Sequence, residues 1–313
     1  MSFVGRWYLF VCLGCFVGNC LLPVAGSSSL SFVRTPITRI LSDFHYTDPG
    51  SWVERLSDVK PLLDGPEQVV MNGDTLDTQV HERPDEIVAE VKRFFAEQAA
   101  DTRFIAGNHD PDISTLDELN LGAGRVWVTH GHVFFDEIAP WSRLAPEIRR
   151  GIRAQTGAFP PADFDQLEKR FQLFRQICLK LPREHDPNQH GILARWRRIA
   201  YALFPPQQIL GMLRAWRALP GLALRIAHAQ RPAARVIVTG HTHHSGVWRA
   251  VDGRVILNTG SFGPPRGGRL VDVTEDRVVV RQIVRRGREF RPGPTVVEIA
   301  LAPTGTSALS ASP

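Results

Sequence analysis

Thiols are scarce in this chain of 313 residues: there are four cysteines, and Cys12, Cys15 and Cys20 all lie in the apolar run Trp7 to Leu22. Cys178 is left alone in the remainder, which excludes an internal disulfide framework and a thiolate-ligated structural zinc there. Set on an apolar helical stripe, Cys178 reads as a packed hydrophobe rather than a reactive thiol, and cysteine usage says little about compartment. There is no glycine-rich loop of the kind that cradles phosphate, and no internal repeat. Acidic residues are absent from Gly191 to Ala233, where seven arginines stand unopposed. An apolar fraction of 43% is ordinary for a globular core, and the length allows one large domain or two smaller ones.

What the chain does have is five short blocks rich in metal-binding side chains: Asp43-Phe44-His45, Gly73-Asp74, Gly107-Asn108-His109-Asp110, His130-Gly131-His132 and Gly240-His241-Thr242-His243. Oxygen and imidazole nitrogen without sulfur suit first-row divalent cations, compatible with Mn, Fe or Zn, and the set points to a two-metal hydrolytic centre. Four blocks follow runs that read as buried parallel strands, at Thr38 to Leu41, Gln68 to Met71, Arg125 to Thr129 and Arg235 to Thr239. The Asn108 block follows the shorter Phe104-Ile105-Ala106. Ligands of open α/β sheets gather beyond the carboxyl ends of the strands, so all five blocks are expected at one rim.

In this order the blocks make the chain resemble a calcineurin-like metallophosphoesterase, whose D-x-H, G-D, G-N-H-D, His-Gly and G-H-x-H signature runs here from about Thr38 to Phe262. Asn258-Thr259-Gly260-Ser261 is similar to a further turn of that family. The resemblance implies an α/β/β/α four-layer sandwich with metals at the rim. It also implies one metal held by Asp43, His45, Asp74 and His243, and another by Asp74, Asn108, His130 and His241, with Asp74 bridging. Water between two such cations loses a proton near neutral pH, and the hydroxide attacks phosphorus in line. His109 is then expected to protonate the departing oxygen, with Asp110 orienting its ring. His132 and His244, one residue past ligands, read as supporting or solvated histidines, and Asp77, one helical turn after Asp74, as a local hydrogen-bond partner.

Between the His130 and His241 blocks the chain is far longer than a crossover requires, and Val133 to Ala233 is expected to form a helical cap. Phe164, Leu167, Phe171, Phe174, Cys178 and Leu181 mark one helical stripe, ended by Pro182. Further helices are expected at Gly191 to Leu203 and at Gln207 to Leu219, the latter ended by Pro220. This segment carries 16 Lys plus Arg against 8 Asp plus Glu, whereas the whole chain carries 37 against 32. Arginines interleaved with Trp196, Tyr201, Phe204 and Trp216 suit either a membrane surface or a solvated basic face whose rings pack inward. A cap at this position is similar to that of the UDP-2,3-diacylglucosamine pyrophosphohydrolases. That likeness implies a pyrophosphate bond in a lipid-linked nucleotide, with Arg195, Arg197 and Arg198 as candidates to receive anionic groups. A nuclease or cyclic-nucleotide phosphodiesterase of the same superfamily is the alternative, given a pI near 9.3, and a non-catalytic metal-binding scaffold a more remote one. Nothing in the sequence implies a protein partner.

Residues 1–36 read as an apolar signal or anchor followed by a Ser-rich linker. Membrane association is the expectation, with export after cleavage or a cytoplasmic protein from a downstream start as alternatives. The catalytic domain is expected at 37–290. It closes with Val247 to Val251, Val255 to Asn258, Leu270 to Val273 and Val278 to Val284 as a β-meander completing the second sheet, before a flexible tail from Arg291 to Pro313.

Overall fold

The structure is a computed structural model and describes residues 35–301, apart from 49, 82, 100, 157–165, 182–205 and 264–266. The N-terminal apolar segment, the Gly191 to Leu203 helix with Arg195, Arg197 and Arg198, and Ser307 to Pro313 lie outside the described residues. Among the described residues no helix is long and apolar enough to cross a membrane.

Among the described residues, eleven strands form two sheets. The first holds β1 (Thr38–Leu41), β2 (Gln68–Asn72), β3 (Thr102–Ile105), β9 (Arg269–Val273), β10 (Arg277–Arg286) and β11 (Glu289–Ala300), in the order β11-β10-β9-β1-β2-β3. The second holds β4 (Glu118–Leu121), β5 (Val126–Thr129), β6 (Val236–Thr239), β7 (Gly246–Arg249) and β8 (Val255–Asn258), in the order β4-β5-β6-β8-β7. In the first sheet β1, β2 and β3 are parallel neighbours, as are β5, β6 and β8 in the second.

Side chains alternate across a strand, and here the alternation builds the layers. Ile40, Val70 and Ile105 point from the first sheet into a core shared with Val126, Val128, Val236, Val238 and Leu257 of the second. Their neighbours Leu41, Val69 and Met71 face the other way, onto a cluster containing Leu62 and Leu63 of α1 (Lys60–Leu63) and Val91 and Phe95 of α2 (Pro84–Gln98). Trp127, Ile237 and Ile256 leave the second sheet outward, onto Ala215, Leu219, Ala223 and Ala227 of α5 (Pro206–Gln230). The result is helix, sheet, sheet, helix, the four-layer architecture implied by the motifs.

Among the described residues, two further helices lie between β5 and β6, α3 (Ala145–Thr156) and α4 (Leu167–Lys180), and they share a small core of Ile148, Ile152, Leu173, Phe174, Ile177 and Cys178. Helix α5 does not stop at Pro220. Residues on both sides of the proline pack on the same sheet, and that anchoring outweighs the hydrogen bond that proline removes, a cost of about 3 kcal/mol. Helix α5, which lies within the segment expected as a cap, packs as the outer layer on the second sheet.

The expected meander is divided between the sheets. β7 and β8 pair in the second, but β9 lies antiparallel to β1 in the first. The register places Arg39 opposite Asp272, and the guanidinium binds both carboxylate oxygens at 2.7 and 2.9 Å and the carbonyl of Leu62 at 2.8 Å. Nor does the chain loosen at Arg291: β11 continues to Ala300 along β10. Pro292 and Pro294 made this stretch read as a tail, but an edge strand tolerates residues that cannot donate to the ladder.

Candidate metal centre

The loops after β1, β2, β3, β5 and β6 carry the five blocks, and they converge. Among the described residues, Asp43, His45, Asp74 and His243 bring one potential ligand atom each within 4.8 Å of one another, and Asp74, His130 and His241 do the same. Asn108 joins the second group, its Oδ1 lying 3.3 Å from His130 Nε2.

The backbone is bent to achieve this. Asp43, His45, Asp74, His241 and His243 have φ of 53°, 47°, 51°, 68° and 54°, a left-handed region that L-residues other than Gly, Asn and Asp seldom occupy. Each such residue costs of order 1 kcal/mol, held by surrounding structure. Close approach does the rest, for a Cβ on Gly107 would run into the Asp74 carboxylate and one on Gly240 into that of Asp43.

His45 Nε2 and His243 Nε2 face each other at 2.9 Å, with Asp43 Oδ1 3.4 Å from the latter and Asp74 Oδ2 3.7 Å from the former. Ligands about 2.0 to 2.2 Å from one cation stand about 2.9 to 3.5 Å apart, so this donor set fits a shared cation better than it fits mutual hydrogen bonding. Burial pulls His45 down to about 4 against the opposing pull of Asp74, and takes His241 well below its usual value, so both present neutral imidazoles. Burial also disfavours charge on His130, but Asp74, 3.1 Å away, lifts it to about 9. A cation must displace that proton.

Two carbonyls settle the tautomers, because a carbonyl only accepts. Asn72 O lies 2.9 Å from His130 Nδ1, leaving Nε2 free beside Asp74 and Asn108. Ile138 O lies 2.9 Å from His241 Nε2, leaving Nδ1 free.

His109 sits beside these groups, and with His45 and Asp77 it brings a third set of potential ligand atoms within the same distance. Burial disfavours its charge, yet Asp77 and Asp74 raise it to about 10, so it carries a proton at neutral pH. Its ring partner differs from the expectation. Asp77 Oδ2 lies 2.9 Å from His109 Nδ1, whereas Asp110 is fully buried and accepts the N–H groups of Gly107, Asp74 and Thr75 at 2.8, 2.9 and 2.7 Å. Asp110 therefore ties the turns after β2 and β3 together, and Asp77 orients His109. The one-turn spacing from Asp74 was the available signal for Asp77 as a hydrogen-bond partner, and it did not say of which residue. Asp77 is free for that work because the loop carries it to Thr78–Val80, where it also caps the Gln79 N–H at 3.1 Å.

His132 is buried against the His130 and His241 rings, and its Nδ1 has no hydrogen-bond partner. His244 stacks on Trp216 with ring centroids 4.4 Å apart, and Trp216 Nε1 donates to Thr242 O at 2.8 Å. Both histidines support neighbouring loops. A cavity of about 180 Å³ opens beside the centre, lined by Asp74, Asn108, His109, His241 and His243 together with Ile138, Trp141, Leu144, Ile148 and Leu181.

A family model described as calcineurin-like phosphoesterase matches residues 39–245. Similar solved structures include a dimetal phosphatase from Danio rerio, 14% identical, covering 82% of this chain and 98% of that one with a TM-score of 0.42. Vacuolar protein sorting 29 from Cryptosporidium parvum is 15% identical over 85% of this chain and 99% of its own, with a TM-score of 0.38. A conserved protein from Streptococcus pneumoniae described as a predicted phosphoesterase is 17% identical over 85% and 98%, with a TM-score of 0.36. No curated protein matches the chain.

Proposed function

Because the chain belongs to the calcineurin-like phosphoesterases, matched over residues 39–245, we propose that it hydrolyses a phosphoester or pyrophosphate bond with two divalent cations held by the two ligand groups that share Asp74. The observation that carries this reading is that sharing: one carboxylate stands between two sets of imidazole and oxygen donors. When bound, the cations supply Lewis acidity toward the phosphoryl group and acidify water between them. The protein's own part is positional. Asp74 accepts the His109 main-chain N–H at 2.9 Å, which fixes the His109 ring beside the ligand sets. Asp77 holds Nδ1, so Nε2 presents the proton to the departing oxygen.

The substrate we infer carries an apolar portion, in a lipid-linked nucleotide. The supporting feature is the cavity, which potential metal ligands line together with apolar side chains from the segment between β5 and β6, read here as a helical cap. Membrane association follows the same reading. Leu210 and Leu213 are exposed on the helix face that also exposes Arg214 and Arg217, a combination suited to anionic headgroups and their acyl boundary.

The test is turnover by the full chain, stripped of metal and resupplied with Mn or Zn, on bis-nitrophenyl phosphate and UDP-2,3-diacylglucosamine in parallel. Metal-dependent cleavage of the lipid nucleotide is expected. Activity on the simple diester alone would remove the lipid reading and keep the hydrolase, and none on either would remove both.

A further inference from the structure

The ligands of the second group are held from two different parts of the molecule. His130 is fixed through Nδ1 by the carbonyl of Asn72, a residue of β2 and so of the sandwich itself. His241 is fixed through Nε2 by the carbonyl of Ile138, which lies between β5 and α3. Ile138 is buried and has φ of 60°, a conformation that costs a β-branched residue more than most. Strain of that kind persists only where the surroundings enforce it, and here it aims a carbonyl at a ligand ring. The Trp141 ring packs on His241 with centroids 5.0 Å apart. Asn108, another ligand of this group, is reached too: the Gln79 amide lies 3.4 Å from both its carbonyl and that of Cys178 in α4.

We propose that the segment between β5 and β6 sets the affinity of the second metal position, through the Ile138 carbonyl and the Trp141 ring acting on His241 as positioning groups. This rests on the two-metal reading above. Asp43, of the first position, is held instead by neighbours on the metal-ligand loops, accepting from Ser42 Oγ and from the His241 N–H. The two positions therefore respond differently to the segment. Ile138 and Trp141 also line the cavity, so a group entering there meets the residues that hold His241.

The experiment is a Zn²⁺ titration of the metal-stripped full chain labelled with ¹⁵N-histidine, in which the ¹⁵N shift of a ring nitrogen on ligation reports each ligand ring separately. Ile138→Gly keeps the left-handed turn, whereas Ile138→Pro forbids it. Both lose the buried side chain, glycine more completely. In the metal-free wild type and Ile138→Gly, His241 is expected as the Nε2–H tautomer. Ile138→Pro is expected to need about 10 to 100 times more Zn²⁺ to shift the His241 and His130 ring nitrogens, with His243 unchanged. Trp141→Leu, which leaves the main chain intact, is expected to shift the same two rings by about ten-fold, the low end of that range. Wild-type protein that takes up fewer than two ions would overturn the two-metal reading. Two ions with equal weakening at both positions, or glycine as damaging as proline, would overturn this proposal alone.

Discussion

At the scale of the residue, the centre depends on a division of labour among four carboxylates that sequence order does not reveal. Asp43 and Asp74 face the imidazoles, Asp77 faces His109, and Asp110 faces only main-chain N–H groups. Exchanging the last two for Asn separates their roles. The Asp77 carboxylate favours the imidazolium of His109, so Asp77→Asn lowers that pKa, and the alkaline limb of the kcat profile is expected to move to lower pH. Cations at the adjacent positions oppose the rise to about 10 in the wild type, so the limb itself should fall below that value. His109→Ala is expected to abolish the limb and reduce turnover by about 10²- to 10⁴-fold, least on nitrophenolate leaving groups that need no proton. Asp110→Asn is expected to leave the profile in place and lower stability by about 1 to 3 kcal/mol in denaturant unfolding, because an acceptor of several buried N–H groups is lost.

At the scale of the element, the strands before each block were legible because buried parallel strands read as continuous apolar runs. Their starts and ends agree with the structure to within a residue or two. Elements whose identity depends on what they pack against were not legible. Pro220 ends a helix judged by local propensity, and Pro292 with Pro294 ends a strand on the same grounds, yet both elements continue because packing or an edge position compensates. The placement of β9 beside β1 turns on Arg39 and Asp272, which are 233 residues apart. Removing one partner strands a buried charge, so Arg39→Leu is expected to cost about 3 to 5 kcal/mol, and Arg39→Leu with Asp272→Leu considerably less. Equilibrium unfolding of the single and double variants would check this, with equal losses counting against the ion-pair account.

At the scale of the whole molecule, three apolar layers account for the sandwich, and the fourth cluster, between α3 and α4, lends Ile138, Ile148 and Cys178 to the lining of the cavity beside the centre. Cys178 belongs to that cluster, and burial pushes its thiol up to about 12. In the native full chain, alkylation of Cys178 mapped by mass spectrometry is expected to be on the order of 10³-fold slower than in denaturant, since only the thiolate reacts. Fast native labelling would mean that the α3–α4 layer opens readily.

By itself the sequence determined the chemistry and the side of the sheet on which it occurs, because ligand type is a property of a side chain and strand periodicity is a property of neighbours. Asp43, His45, Asp74, Asn108, His130, His241 and His243 could all be named in advance, and the structure gathers them into two groups sharing Asp74. Which carboxylate serves His109, which ring nitrogen each histidine leaves free, and which strands share a sheet were decided only by tertiary structure. Those outcomes depend on which carbonyl, carboxylate or charge a long chain brings within about 3 Å, and no local rule of spacing contains that distance.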